Sequence, residues 1–138
     1  MIFVDSGAWI ALQDQRDQFH QGAVRFQREL RRGAHGRLVT TDYVLDEGVT
    51  YLRLHAEGDA VREFRRILTE SESVQVVRTP PERCWEAWDR LQERDDKRWS
   101  LTDCLRFVTM ESLGLTSAFS FDSDFRQAGF EVLPGAVC

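Results

Sequence analysis

Short apolar runs alternate with amphipathic segments along this 138-residue chain, and the alternation constrains its fold more than any other feature. The apolar runs occupy residues 2–4, 38–40, 74–77, 118–121 and 130–133, and their length predicts buried strands. Between the runs, apolar residues recur every three or four positions, which predicts amphipathic helices. The sequence therefore predicts one α/β domain over residues 1–138, with a mostly parallel five-stranded sheet between two helical layers.

Acidic residues stand where the predicted apolar segments end or should be buried, at Asp5, Glu47, Asp103 and Asp122. Asp5 follows the first predicted strand and Asp122 follows the fourth. Sites in such sheets lie outside the carboxyl ends of the strands, where the strand order reverses, so neighbouring first and fourth strands would share one crevice. Clustered carboxylates repel each other and are costly to desolvate, which a divalent cation relieves. We therefore predict a site for one or two Mg²⁺ or Mn²⁺ ions.

The surroundings of Glu47 favour a functional role but leave a structural one open. On its predicted helix, Glu47 shares a face with Tyr43 and Tyr51, which directs the carboxylate at the interior or at the rim of a cleft. The alternative is a glutamate that pairs with an arginine, either Arg53 or Arg106.

Asp103 also fits a structural role at the start of a helix. Ser100 and Asp103 have the spacing of a capping box, in which the acid accepts a hydrogen bond from the backbone amide of the capping serine. A helix start can still present a carboxylate to a metal, so the two roles are compatible. Asp5 and Asp122 fit milder roles as caps of the helices that follow them.

Further polar side chains adjoin the predicted ligands. Asp124 lies two residues after Asp122 and is a candidate fifth carboxylate, bound directly or through water. Ser6 and Thr102 each adjoin a predicted ligand. Their hydroxyls fit either helix capping or the orientation of a ligand from outside the coordination shell.

Several common kinds of site are excluded by the remaining residues. The three histidines are scattered, and none partners a serine or cysteine nucleophile. Cys84, Cys104 and Cys138 lack the spacing of zinc ligands, so we expect Cys84 and Cys104 to be buried thiols in a cytoplasmic protein. No glycine-rich phosphate loop, membrane-length apolar stretch or leader-like segment occurs, which predicts no nucleotide cofactor, membrane span or export.

Arginines are concentrated in one segment of a chain whose net charge is −5. The segment contains Arg25, Arg28, Arg31, Arg32 and Arg37 against a single acid. Arginine recognises phosphate through its planar fork, so these residues are candidate phosphate contacts. A solvated helix face explains the same charges equally well.

Short motifs spread over the chain together resemble a PIN domain, and more narrowly a VapC-type toxin ribonuclease. The motifs are FVDS at 3–6, VLDE at 44–47, LTDC at 101–104, FDSDF at 121–125 and GFEVLP at 129–134. Each is weak alone, but the ordered set covers essentially the whole sequence. The resemblance assigns the catalytic, metal-binding acids to Asp5, Glu47, Asp103 and Asp122, with none missing.

The resemblance also implies an activity and partners. It implies the toxin of a type II toxin–antitoxin pair, an endoribonuclease that hydrolyses RNA phosphodiester bonds with metal-activated water and leaves a 5′-phosphate. It further implies Mg²⁺ or Mn²⁺, a homodimer, and an antitoxin protein that occludes the site. Under this resemblance Arg25, Arg28, Arg31 and Arg32 are candidate RNA contacts.

Other functions stay open on the sequence alone. A non-toxin PIN nuclease acting in RNA processing or on DNA is one, since an acid cluster does not recognise the 2′-hydroxyl. A non-enzymatic module that binds a protein through Trp85, Trp88 and Trp99 is another, although Trp88 fits the core stripe that Cys84 and Leu91 form with it on their predicted helix. A signalling receiver domain fits poorly, because its site needs an aspartate after the third strand and a lysine late in the chain. Here residues 78–80, which follow the third predicted strand, are Arg, Thr and Pro, and the only lysine is Lys97.

Overall fold

Five parallel strands form a single sheet in the computed structural model, which describes residues 1–135. The strands are β1 (Ile2–Val4), β2 (Leu38–Thr41), β3 (Val74–Val77), β4 (Ser117–Phe119) and β5 (Glu131–Leu133). Their order across the sheet is β3-β2-β1-β4-β5, and every neighbouring pair is parallel. The predicted α/β fold with a parallel five-stranded sheet is confirmed.

Helices connect successive strands, as the alternation of the sequence predicts. They are α1 (Ser6–Gln13), α2 (His20–Arg31), α3 (Asp42–His55), α4 (Ala60–Glu70), α5 (Pro81–Glu93), α6 (Leu101–Ser112) and α7 (Asp124–Gln127). Within residues 1–135, no helix combines the length and the apolarity needed to cross a membrane.

The helices cover both faces of the sheet. Phe3 and Val39 are partners in the register of β1 and β2, so they share a face, and Phe3 packs against Phe125 of α7 with ring centroids 6.1 Å apart. Thr40 lies on the opposite face, where its hydroxyl accepts a hydrogen bond from the indole of Trp9 in α1 at 3.2 Å. The three predicted layers are therefore present, and the core lies on both sides of β1 and β2.

The strand order reverses between β1 and β4, as the sequence argument requires. The chain builds β2 and β3 on one side of β1 and then β4 and β5 on the other. The amide of Asp5 donates a hydrogen bond to the carbonyl of Phe119 at 3.1 Å, so the first residue after β1 lies beside the end of β4. Parallel α/β sheets open a crevice at this point.

β4 and the helix after it are shorter than the sequence predicts. The predicted strand over 118–121 ends at Phe119, and α7 begins at Asp124 rather than at Asp122. Ser120 Oγ accepts a hydrogen bond from the amide of Asp122 at 3.0 Å, and Asp122 Oδ1 accepts one from the amide of Asp124 at 2.9 Å. Such side-chain bonds to the backbone compete with regular structure and turn the chain here.

The buried stripe of α5 differs from the predicted one. The prediction joined Cys84, Trp88 and Leu91, but Trp88 is 45% exposed and Ala87 is fully buried. The stripe therefore runs through Cys84, Ala87 and Leu91. The small Ala87 side chain lets α5 approach α6 closely, which places both Trp88 and the 66% exposed Trp85 on the surface.

Other residues singled out by the sequence have ordinary structural positions. Trp99 is buried, so it offers no surface to a protein partner. Cys104 is buried, as expected, and Cys84 is half-buried. Cys138 lies outside the described residues.

Candidate active site

A cleft of about 500 Å³ opens where β1 and β4 end. Three of the four predicted site acids line it, namely Asp5, Glu47 and Asp122, together with Ser6 and Arg106. A larger groove of about 1030 Å³ runs along α1, α2 and α4, but none of the four acids borders it. The smaller cleft is therefore the candidate active site.

Asp5 is buried at the base of the cleft. It occupies the N-cap position of α1, but its side chain caps no backbone amide. Its Oδ2 accepts a hydrogen bond from Ser120 Oγ at 3.2 Å, while its Oδ1 lies 3.0 Å from Nε of Arg106 without the alignment of a hydrogen bond. Burial raises the pKa of Asp5 from 3.8 to about 6, although the charge of Arg106 acts to lower it. Asp5 thus carries a buried acceptor oxygen that is suited to a cation.

Arg106 of α6 gathers three of the predicted site acids around one guanidinium. Its Nε lies 3.0 Å from Asp5 Oδ1, its Nη1 lies 3.2 Å from Asp103 Oδ1, and its Nη2 lies 2.5 Å from Glu47 Oε1. Arg106 is only 8% exposed and Asp5 only 4%, so these two charges interact out of reach of most solvent. The sequence named Arg106 as an alternative partner of Glu47 alone, whereas the structure makes it a counter-charge shared by three acids.

Glu47 lies at the rim of the cleft. Its side chain is 47% exposed, and Tyr43 and Tyr51 on the same helix face are exposed as well. Ser6 Oγ donates a hydrogen bond to Glu47 Oε1, the oxygen that also contacts Arg106. Of the two positions expected for Glu47, the structure has the rim, with Ser6 orienting the carboxylate.

Asp103 belongs both to the first turn of α6 and to the cluster of acids. Ser100 Oγ accepts a hydrogen bond from the amide of Asp103 at 3.0 Å, and Asp103 Oδ2 accepts one from the amide of Ser100 at 2.9 Å, which completes the predicted capping box. The box fixes the carboxylate so that Oδ1 faces Arg106. Thr102, in the same turn, is half-buried and bonds none of these acids through its hydroxyl within residues 1–135.

Asp103, Asp122 and Asp124 form a second grouping of carboxylates. One oxygen of each lies within 4.8 Å of the others, and all three residues are half-buried. Burial, together with the charges of Asp122 and Asp103, raises the pKa of Asp124. A set of oxygen donors suits a hard cation such as Mg²⁺ or Mn²⁺ better than zinc. The structure thus places a carboxylate oxygen of Asp124 close to those of Asp103 and Asp122.

The family model of the PIN domain matches residues 2–131, a range that contains every predicted site acid. The chain belongs to the PIN domain family. The resemblance that its short motifs carry is therefore confirmed.

This PIN domain is similar to a known endonuclease in both sequence and structure. The 23S rRNA-specific endonuclease VapC20 of Mycobacterium tuberculosis is 32% identical to it over 135 residues, which are 97% of this chain and 99% of that one. The crystal structure of Mycobacterium tuberculosis VapC20, described as a sarcin-ricin loop cleaving toxin, superposes with a TM-score of 0.81 at 30% identity and covers 94% of this chain and 96% of that chain. PAE2754 from Pyrobaculum aerophilum, at 19% identity and a TM-score of 0.64 over 96% and 88% of the two chains, shares the fold.

Most of the candidate phosphate-binding arginines of this PIN domain lie on α2, which leads away from the cleft, and Arg32 and Arg37 follow that helix. Phe19 lines the cleft just before α2 begins, and the 12 residues of α2 span about 18 Å. The carbonyl of Arg37 accepts a hydrogen bond from the amide of Ile2 at 3.0 Å, so the segment after α2 lies at the amino end of β1. Arg25, Arg28, Arg31 and Arg32 are exposed and form no ion pair within residues 1–135. Their positions suit an extended ligand better than a phosphate held in the cleft.

Sequence reasoning missed part of the PIN domain site. Ser120 joins the end of β4 to Asp5, and its signal in the sequence was only a hydroxyl two residues before Asp122. Arg106 had a clearer signal, since it lies three residues after Asp103 on one helix face and is the only charged residue between Leu105 and Met110. A lone arginine in an apolar helical run indicates buried acids nearby.

Proposed function

We propose that this PIN domain is the toxin of a type II toxin–antitoxin pair and acts as an endoribonuclease that requires Mg²⁺ or Mn²⁺. The observation that carries the proposal is the convergence of carboxylates from four separate segments. Asp5 follows β1, Glu47 lies on α3, Asp103 begins α6 and Asp122 follows β4. The similarity to the VapC20 endonuclease over nearly the whole of both chains supports the same function.

The chemistry of the donor set supports a metal held by Asp5, Glu47, Asp103 and Asp122, with Asp124 as a further ligand. Every donor is a carboxylate oxygen, and Oδ1 of Asp5 is buried without a hydrogen bond. Asp103 links the acids around Arg106 to the Asp103–Asp122–Asp124 grouping, and the proposal covers one or two ions. A divalent cation in such a site lowers the pKa of bound water and neutralises charge on the scissile phosphate.

The other side chains of the cleft hold the acids in place for this chemistry. Ser120 bonds Asp5, Ser6 bonds Glu47, and Arg106 opposes the mutual repulsion of three carboxylates. Attack of a water oxygen on phosphorus breaks the bond to the 3′ oxygen and gives a 5′-phosphate and a 3′-hydroxyl. This reaction needs no nucleophile from the protein, which agrees with a cleft that no histidine within residues 1–135 lines.

We propose ribosomal RNA as the substrate. The support is the similarity to a relative that is named for 23S rRNA and whose crystal structure is described as that of a sarcin-ricin loop cleaving toxin. The exposed arginines of α2 support contacts with phosphates of an extended RNA. Because carboxylates do not distinguish ribose from deoxyribose, single-stranded DNA is the necessary comparison.

We also propose an antitoxin protein as partner, a homodimer and a cytoplasmic location. Similarity to a VapC toxin supports the antitoxin. Exposed apolar side chains, among them Tyr43 and Leu54 on α3 and Trp85 and Trp88 on α5, supply the kind of surface that protein interfaces use. Light scattering of the purified protein would measure its mass, and co-purification with the product of a neighbouring gene would identify the antitoxin.

Incubation of the purified protein with intact ribosomes, with their naked RNA and with single-stranded DNA tests the proposed function. We expect cleavage of ribosomal RNA at few positions in Mg²⁺ or Mn²⁺, with 5′-phosphate ends located by sequencing, and none in chelator. Undiminished cleavage in chelator would contradict the metal requirement. Equal cleavage of DNA would contradict the assignment to RNA.

A further inference from the structure

One wall of the acidic cleft is aromatic. Phe19 and Phe121 stack with ring centroids 4.5 Å apart and planes only 2° from parallel. Both line the cleft of about 500 Å³ that also contains Asp5 and Glu47. Phe19 is 40% exposed, so the stack does not close into the core. An aromatic surface thus remains accessible beside the carboxylates.

The aromatic stack is fixed to the core at its inner end. Phe121 packs edge-on against the fully buried Phe119, with centroids 6.1 Å apart, and Phe119 packs edge-on against Phe26 of α2 at 4.9 Å. Phe121 also directly precedes Asp122 in the chain. The stack is therefore rigidly placed with respect to the predicted ligands.

The outer end of the stack is held by a local turn. Asp17 Oδ2 accepts a hydrogen bond from the amide of Phe19 at 2.9 Å, which fixes the backbone immediately before α2. A ring that is exposed, oriented by its backbone and supported from behind loses little freedom when a second flat group stacks on it.

We propose that Phe19, supported by Phe121, is a stacking platform for an unpaired nucleobase next to the scissile phosphate. The inference rests on the proposed ribonuclease function, and it names the part of the substrate that the aromatic wall receives. A nucleotide matches both sides of the cleft. Its phosphate would lie at the proposed metal site, and its flat, apolar base would lie against the aromatic wall. The cleft volume is within the range of nucleotide-sized sites.

The platform specifies the form of RNA that the cleft accepts. A base within a duplex is already stacked on its neighbours, so only bases in loops, bulges or single strands can stack on Phe19. A phenyl face offers no hydrogen bond to a base edge, so the platform tolerates different bases at this position. The platform therefore predicts little sequence preference at the stacked base.

The test measures binding of short single-stranded RNAs to the Asp5→Asn variant, which keeps the RNA intact. The RNAs contain one cleavage site, and each carries a single base-free ribose at a different position around it. We expect one position at which removal of the base weakens binding by about tenfold, the value of one base–aromatic stack. Addition of Phe19→Leu should weaken binding of the complete RNA by a similar factor and leave binding of that one base-free RNA unchanged.

Matched variants separate stacking from a structural role of Phe19. Phe19→Tyr retains a stacking face and should restore binding, whereas Val76→Ala trims an exposed apolar side chain on β3 that does not line the cleft and should have no effect. A fluorescent base at the stacked position should be quenched when the phenyl ring of Phe19 is present, and the quenching should disappear with Phe19→Leu.

Two results would overturn the platform. One is equal weakening by Phe19→Leu of the complete and the base-free RNAs, and the other is the absence of any base-sensitive position. Absence of metal-dependent cleavage by the unmodified protein would instead contradict the proposed function.

Discussion

At the residue scale, Asp5 shows most clearly that an ionised carboxylate in the cleft is costly when no metal ion is bound. Burial raises its pKa from 3.8 to about 6, so the folded protein retains a proton that the unfolded chain has already lost between these values. The stability that this proton provides is complete below pH 4 and is lost as the pH rises through about 6. Above that pH the folded protein carries a buried carboxylate at a steady cost.

We predict that the free energy of unfolding of the metal-free protein falls between pH 4 and pH 6 relative to that of Asp5→Asn. Urea unfolding in chelator, measured for both proteins across this range, isolates the contribution of Asp5. The amide of the variant does not titrate, so the groups that do not interact with Asp5 cancel in the difference. A difference that is constant or grows with pH would contradict the raised pKa.

Asp5→Asn should also separate activity from stability. We expect RNA cleavage to fall by about a hundredfold or more, because the variant replaces a charged ligand of the proposed metal site by a neutral amide. At pH 7.5 in chelator the same variant should be more stable than the unmodified protein, since a neutral amide is less costly to bury than a carboxylate. Asp46→Asn, an exposed change on α3 outside the cleft, is the control and should alter neither quantity. Cleavage that survives Asp5→Asn would remove Asp5 from the site.

We expect Arg106 to contribute strongly to the stability of the metal-free protein. Arg106→Met leaves Asp5, Glu47 and Asp103 without their shared counter-charge, and removal of one partner from a buried ion pair costs about 3 kcal/mol or more. Thermal unfolding in chelator should show this effect, and added Mn²⁺ should recover part of it by supplying positive charge to the same oxygens. Arg90→Met breaks a surface pair with Glu111 and should cost less than about 1 kcal/mol. Equal costs for the two variants would contradict the central role of Arg106.

At the scale of elements, the capping box links the stability of α6 to the geometry of the cleft. Ser100→Ala removes the acceptor for the amide of Asp103 and should cost about 1 kcal/mol of stability. It also frees the turn that orients the Asp103 carboxylate, so we expect metal affinity to fall as well. Ser100→Thr keeps the hydroxyl and should preserve both, as measured by urea unfolding and Mn²⁺ titration. Reduced stability without any change in metal affinity would show that the cap does not position Asp103.

The spacing of apolar residues predicted the helices and strands because burial determines that spacing. The prediction failed where side-chain hydrogen bonds or helix packing, rather than burial, determine the structure. β1 and β3 were predicted with their observed ends, since β1 is wholly apolar and valines begin and end β3. The end of β4 was wrong because side-chain bonds of Ser120 and Asp122 turn the chain. Trp88 was misplaced because the contact between α5 and α6 selects small Ala87, a choice that only the packed pair of helices determines.

The convergence of the acids was predictable for a topological reason. Parallel strands that are neighbours at the reversal of strand order end at one crevice, so Asp5 and Asp122 had to meet there once β1 and β4 paired. The three-way contact of Arg106 was not predictable, because it depends on how α1, α3 and α6 pack against one another. The stack of Phe19 on Phe121 was hidden for the same reason, as 102 positions separate the two rings in sequence.

At the scale of the whole molecule, charge is distributed unevenly around a net value of −5. Acids occupy the cleft, where β1 and β4 end, while the arginines of α2 extend toward the opposite, amino end of the strands. A polyanion near the molecule is therefore repelled by the metal-free cleft and attracted by α2. A bound divalent cation would reverse the first effect and leave the second unchanged. RNA binding should accordingly depend on both metal and salt, through different parts of the surface.

The contribution of α2 can be measured by reversing its charge. Arg28→Glu with Arg31→Glu should weaken binding of single-stranded RNA to the Asp5→Asn protein and flatten its dependence on salt, by about 0.7 in the log–log slope for each phosphate that α2 no longer neutralises. Arg62→Glu with Arg65→Glu changes the net charge equally on α4 and serves as the matched control. If α2 contacts phosphates, the double substitution on α2 should flatten the salt dependence of binding. The double substitution on α4 should only lower the affinity, because long-range repulsion does not change the number of counterions that binding releases. Identical effects of the two pairs would mean that α2 is a solvated face and that the RNA is held by the cleft alone.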